Sequence, residues 1–86
     1  MKIVFQKSFE KKYIKLPKKI KEKVKKRNIL FESDPYNPVL NNHALSGKYT
    51  SYRSINVTGD LRIVYKLINK NIALFVTVGT HSELYK

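Results

Sequence analysis

Apolar positions in the first third of the chain recur three and four residues apart: Phe5, Phe9, Tyr13 and Leu16, then Ile20 and Val24. That spacing lays them along one face of a helix. Leu16-Pro17 interrupts the pattern, because proline lacks a backbone N–H and restricts the residue before it. The chain therefore predicts two helices, one starting near Ser8 and Glu10, the other with Pro17 at its favoured first position. The second carries Ile20, Val24 and Ile29-Leu30-Phe31 on a lysine-dense background, which gives it a cationic outer face. Ser33-Asp34-Pro35-Tyr36-Asn37-Pro38 gathers turn formers that stop the helix, and a loop follows through Asn41-Asn42-His43 to Gly47.

From Tyr49 onward the period becomes two, the signature of strands. Leu61, Ile63, Tyr65 and Leu67 fall on one face, and Arg62, Val64, Lys66 and Ile68 on the other. Ile72, Leu74, Val76 and Val78 repeat the period, and Tyr49 to Val57 form a more polar candidate strand ended by Thr58-Gly59. With Lys2 to Phe5 as a further strand, the order is β-α-α-β-β-β. This is an α+β fold, two N-terminal helices packed on a mostly antiparallel four-stranded sheet. Residues 1–86 read as a single domain, since a chain this short buries only about 60–65% of its unfolded surface and supports one modest core.

Composition narrows the picture. Six tyrosines and four phenylalanines, within a 42% hydrophobic chain, suffice for a core, so the lysines do not signal disorder. There is no cysteine, which removes disulfides and thiolate metal sites. Ile3-Val4-Phe5 is too short for a secretory signal, and no stretch approaches the roughly 18 apolar residues of a membrane span. A cytoplasmic protein is expected, with no membrane partner. Eighteen Lys and Arg against six Asp and Glu give a formal charge of +12, which favours polyanionic partners: nucleic acid, the ribosome, an anionic membrane or an acidic protein. A phosphate-binding glycine loop, HExxH, GxSxG and a two-metal carboxylate cluster are all missing. Nucleotide hydrolysis and metal-dependent nuclease chemistry are disfavoured, and no cofactor or metal is expected.

Two histidines remain for chemistry, His43 in the loop and His81 after the last strand. RNA can be cut without metal when its ribose 2′-oxygen attacks the neighbouring phosphate. One group must take the 2′ proton, another must protonate the leaving 5′-oxygen, and cations must stabilise the phosphorane. Imidazole, with an ordinary pKa of about 6.5, suits either proton transfer. Asp60, in a hairpin turn after Gly59, reads first as a turn residue satisfying local N–H groups. Arg53 and Arg62, on strands paired across that turn, are expected to share one cationic surface facing phosphate, although either suits a solvated strand position. The helical lysines read as a docking surface.

The residues His43-Ala44-Leu45-Ser46-Gly47, Tyr52-Arg53, Asp60 ahead of Arg62-Ile63-Val64-Tyr65, and Gly79-Thr80-His81-Ser82-Glu83-Leu84-Tyr85 resemble, in order and spacing, the YafQ branch of the RelE-like toxins. HxLxG and the terminal GTHSxLY are the most specific parts. The resemblance implies a compact β-α-α-β-β-β toxin of a type II toxin–antitoxin system. It further implies binding in the ribosomal A site against 16S rRNA, metal-independent cleavage of the messenger RNA being translated, and neutralisation by an acidic antitoxin. In that pattern His81 is the general acid, and His43 is the general base or a phosphate ligand. Asp60 orients or supports a partner, and Tyr85 packs or stacks beside the scissile base. Lys48, Tyr52, Arg53 and Arg62 are the matching RNA-binding candidates.

The chain departs from the pattern at Asn56, where Tyr-Arg-x-x-His becomes Tyr52-Arg53-Ser54-Ile55-Asn56, and at Leu61, where an aromatic is often found. Asparagine donates hydrogen bonds but shuttles no proton near neutrality, and losing one acid/base group typically costs about 10² to 10⁴ in rate. Two other readings share these residues. One is a catalytically silent module that sequesters RNA, ribosome or antitoxin, for which Asn56 is the best argument. The other is a ParE-like poison of DNA gyrase, since fold does not dictate function.

Overall fold

A computed structural model describes residues 1–85. In chain order these form β1 (Lys2–Phe5), α1 (Lys7–Tyr13), α2 (Lys18–Ser33), a 3₁₀ turn at Pro38–Leu40 and β2 (His43–Ala44). A second 3₁₀ turn at Gly47–Tyr49 follows, then β3 (Arg53–Asn56), β4 (Leu61–Asn69), β5 (Ile72–Thr80) and α3 (His81–Leu84). The fold is α+β. Its helix break falls where Pro17 puts it, with Pro17 as the residue ahead of α2 rather than its first helical residue.

The sheet order is β1-β5-β4-β3-β2, with β1 parallel to β5 and every other neighbour antiparallel. It has five strands, one more than the sequence pattern predicts, because His43 and Ala44 leave the expected loop and pair with Ser54 and Arg53. The candidate strand over Tyr49 to Val57 contracts to β3. Gly47 at φ 66° and Ser51 at φ 78° occupy left-handed conformations that cannot continue a strand. The chain also ends in α3, a helix that alternation could not reveal.

One face of the sheet carries the main core. Phe31 of α2 is wholly buried and meets Tyr65 edge-on at 5.0 Å and Phe75 at 5.2 Å, while Phe9 of α1 reaches Phe75 at 5.8 Å. Each such side chain contributes about 1.5–3 kcal/mol by leaving water. Leu61, Ile63 and Tyr65 face this core as the pattern predicts. On β5 Val78 is buried as expected, but Ala73 and Phe75 are buried in place of Ile72, Leu74 and Val76. Tyr65 pairs with Phe75 while Val64 pairs with Thr77, so Val76 is an extra residue, a bulge that shifts the inward face from Val78 beyond it to Phe75 and Ala73 before it. Ser8 of α1 donates its hydroxyl to the Val76 carbonyl at 2.6 Å, satisfying a group that the bulge takes out of the ladder.

Candidate active site

The opposite face of the sheet bears the polar groups. Directly paired residues share a face, so Asn56, Arg62 and Gly79 stand in one row across β3, β4 and β5. His43, Ser54, Val64 and Thr77 form the next. Gly79 has a specific job here. A Cβ on it would lie 3.3 Å from Leu84 Cδ2 and 3.4 Å from Glu83 Oε1, so glycine lets α3 fold down against the strand it has just left. Thr80 starts α3 through a reciprocal capping box: its hydroxyl accepts from the Glu83 amide, and the Glu83 carboxylate accepts from the Thr80 amide.

That return brings both ends of the second half of the chain together. His43, Leu45, Ser46, Arg62, His81 and Tyr85 line one open cavity of about 290 Å³. The two candidate histidines, 38 positions apart, thus share a single site. His81, at the first position of α3, is exposed, and its ring centroid lies 4.7 Å from that of Tyr85. His43 is half-buried, with Nδ1 2.8 Å from the carbonyl oxygen of Asn41. A carbonyl only accepts, so Nδ1 carries the proton and the neutral ring presents Nε2 as a lone pair. This is the tautomer that a base requires.

Arg62 is held from two sides. Its NH1 donates to Asn56 Oδ1 at 2.7 Å and its NH2 to the Gly59 carbonyl at 3.2 Å, while Nε–H is buried without a protein partner. Tyr85 Oη and Ser54 Oγ are likewise buried with no partner. Unmet donors cost about 1–3 kcal/mol each in a folded protein, and these three belong to the polar face of the sheet around the cavity.

The remaining candidates are placed less directly. Asp60 is outside the cavity lining; its main-chain oxygen and one carboxylate oxygen face the His81 amide at 3.1 and 3.4 Å. The turn itself is satisfied by Thr58, whose hydroxyl accepts from the amides of Asp60 and Leu61, rather than by the Asp60 side chain expected there. Asn56 also stands outside the lining and reaches the site through Arg62.

The expectation that Arg53 and Arg62 share one surface is overturned. Arg53 pairs with Tyr65 on the helix-covered face, where Nε donates to Asn42 Oδ1 at 2.9 Å and the guanidinium lies 5.6 Å from the Tyr36 ring. Its register position on β3 is three residues from that of Asn56, the partner of Arg62, and an odd offset in a pleated strand turns the two arginines to opposite faces. Asn42, unassigned from sequence, binds Arg53, Tyr65 and the Pro35 carbonyl together. Burial raises the Tyr65 hydroxyl above its ordinary pKa, against the lowering effect of its Asn42 bond and nearby Arg53.

Lys48 and Tyr52 gather instead around Tyr49, which sequence reasoning missed as a site residue. His81, Tyr85, Tyr49 and Tyr52 follow one another with ring centroids 4.7, 5.9 and 6.1 Å apart. Lys48 Nζ lies 5.4 Å from the Tyr49 ring and Lys66 Nζ 5.7 Å from that of Tyr52. The strip could stack bases while its ammonium groups meet phosphates. Leu45 and Ser46 were within sight inside His43-Ala44-Leu45-Ser46-Gly47, but nothing in their residue types marks them as cavity walls.

Among the described residues, no group of three or more His, Cys, Asp or Glu side chains could hold a metal ion, and no helix is long and apolar enough to cross a membrane.

Solved structures carry the same architecture. YafQ from Escherichia coli superposes with a TM-score of 0.82 at 26% identity, covering 98% of this chain and 97% of that one. The same toxin in its DinJ–YafQ toxin–antitoxin complex gives a TM-score of 0.79 at 27% identity, over 98% and 96%. A metal-bound toxin from Helicobacter pylori gives 0.72 at 27% identity, over 99% of both chains. A YoeB/ParE toxin from Agrobacterium tumefaciens, at 20% identity and a TM-score of 0.77, shares the fold. No curated protein sequence gives a significant match. The model of the bacterial toxin of type II toxin–antitoxin systems, YafQ, matches residues 1–86. With that match over its whole length, the chain belongs to the YafQ family of type II toxins.

Proposed function

We propose that this toxin is a ribosome-dependent endoribonuclease that cuts messenger RNA in the A site. The observation that carries the reading is the meeting of His43, His81, Arg62 and Tyr85 around one cavity. His43 Nε2 accepts the ribose 2′ proton as the 2′-oxygen attacks the adjacent phosphorus. Arg62 offsets the charge that develops on the phosphorane. His81 protonates the departing 5′-oxygen, leaving a 2′,3′-cyclic phosphate and a 5′-hydroxyl. Tyr85 stacks on a flanking base. The +12 charge, concentrated on α1 and α2, supports docking on ribosomal RNA.

The proposed protein partner is an acidic antitoxin; Escherichia coli YafQ forms a toxin–antitoxin complex with DinJ. A groove of about 510 Å³ between α1 and α2, lined by Phe5, Phe9, Tyr13 and Ile14 with Glu10, Lys25 and Asn28 as its polar groups, suits an amphipathic segment that brings apolar anchors. The lysines of both helices complement an acidic partner in charge.

The test is primer-extension mapping of messenger RNA on programmed ribosomes with wild type and His81→Ala. Codon-phased breaks that vanish in His81→Ala support the assignment. No breaks with wild type would sink it and leave a binding module.

A further inference from the structure

We infer that Asn56 is the positioning residue of Arg62, and that this pair, rather than a third histidine, completes the phosphate subsite. The inference rests on the endoribonuclease reading for the identity of the ligand, and on the Asn56 Oδ1–Arg62 NH1 contact for the coupling.

Three observations carry it. Asn56 and Arg62 are direct cross-strand partners on the polar face, so the 2.7 Å bond is built into the register of β3 and β4. The Gly59 carbonyl takes a second guanidinium donor from the turn that joins the same two strands, at 3.2 Å. Of the five N–H donors that arginine presents in a rigid fork, two are thus anchored, and Nε–H stays without a protein partner on a side chain that lines the cavity of both histidines. An arginine free in solution would spend its rotamer entropy on reaching a phosphate; this one is already ordered.

The chemistry also explains why an amide suits position 56. Toward a guanidinium the partner must accept, and Oδ1 of asparagine accepts at every pH. A histidine there could accept only as the neutral ring, and its protonation would set two cations face to face. A carboxylate would hold Arg62 as well but would neutralise the charge meant for phosphate. Asn56 keeps the fork in place and leaves its full positive charge to the ligand. The substitution that looks like a loss of acid/base capacity is, in this chain, a match to Arg62.

The test is a double-mutant cycle of wild type, Asn56→Ala, Arg62→Ala and the double variant. It is read two ways: the cleavage rate on programmed ribosomes, and affinity for a trinucleotide carrying a 2′-deoxy sugar at the scissile position, by fluorescence anisotropy. Circular dichroism confirms that each variant is folded. Arg62→Ala is expected to weaken binding about tenfold and Asn56→Ala about threefold, as for charge-assisted hydrogen bonds. In the Arg62→Ala background, Asn56→Ala is expected to change nothing further. Asn56→His is expected to give no faster cleavage than wild type and to lose affinity as pH falls. Additive losses in the cycle, or a faster Asn56→His enzyme with a new proton-transfer limb in its pH profile, overturn the inference. A wild type that cuts nothing but shows the non-additive binding cycle would sink the nuclease reading and keep the pair.

Discussion

The amide of His81 donates to the main-chain oxygen of Asp60 at 3.1 Å and faces an Asp60 carboxylate oxygen at 3.4 Å. Asp60 therefore fixes where α3 begins, and with it where the His81 ring stands, without touching that ring. The shorter of the two contacts uses only main chain, so removing the side chain leaves it in place. Asp60→Ala is expected to slow single-turnover cleavage by less than about tenfold, against about 10² to 10⁴ for His81→Gln. Equal losses in the two variants would place the carboxylate in the proton transfer itself.

His43 is expected to be protonated on Nδ1 in its neutral form, because Asn41 offers that nitrogen a carbonyl at 2.8 Å. Asn41 presents the carbonyl from a left-handed conformation, φ 46°, at the end of the Pro38–Leu40 turn. Nitrogen-15 shifts of the imidazole report the tautomer directly. A neutral ring protonated on Nε2 would remove His43 as the base that accepts the 2′ proton.

The groove between α1 and α2 makes a separate prediction about the antitoxin. Ile14 is 66% exposed and Phe5 41%, both on the groove wall. Ile14→Glu puts a carboxylate where an acidic partner's apolar anchor would sit. It is expected to weaken antitoxin binding by about tenfold or more while leaving ribosome-dependent cleavage intact. Calorimetry with the proposed acidic antitoxin measures the first effect, and unchanged affinity would move the antitoxin elsewhere.

Local pattern was enough for much of this fold, and its failures have physical causes. The helix break at Pro17 and the inward row of Leu61, Ile63 and Tyr65 follow from proline chemistry and strand period. The face of β5 did not follow, since the bulge at Val76 reflects pairing with β4 and the Ser8 hydroxyl, both distant in sequence. His43, His81, Asp60 and Tyr85 were visible as residue types in a family pattern. The opposite facing of Arg53 and Arg62 was not, because it depends on the register that the Thr58–Asp60 turn sets between two strands. Tyr49 joined the site only through ring contacts that no linear spacing encodes.

Tyr65 gives the fold an alkaline limit. Burial first, opposed by the Asn42 bond, raises its hydroxyl above the ordinary value of 10.0. The unfolded chain then loses this proton before the folded one, so the stability linked to Tyr65 is complete below pH 10 and drains away as pH climbs toward the folded-state value. Melting temperature is expected to fall more steeply above pH 10 in wild type than in Tyr65→Phe. At pH 7 the variant costs about 1–2 kcal/mol, since Asn42 keeps its Pro35 and Arg53 contacts but loses the phenol. Parallel pH curves for the two proteins would exclude Tyr65 as the source.

Gly79 separates folding from function most cleanly. An added methyl would press on Leu84 Cδ2 at 3.3 Å and Glu83 Oε1 at 3.4 Å, atoms of the short helix that holds His81 and Tyr85. The neighbours can give way by a few tenths of an ångström, because both atoms are the far ends of flexible side chains. Gly79→Ala is therefore expected to cost only about 1 kcal/mol in denaturant unfolding. Its cleavage rate should fall further, by about tenfold, short of the roughly 10² that follows displacement of a reacting group by a full ångström. Thr80→Ala, which removes the hydroxyl that caps the same helix, should follow the same course, with about 0.5–2 kcal/mol lost. Full activity in Gly79→Ala would mean that the position of α3 does not set the geometry of the reaction, and His81 would lose its assigned role with it.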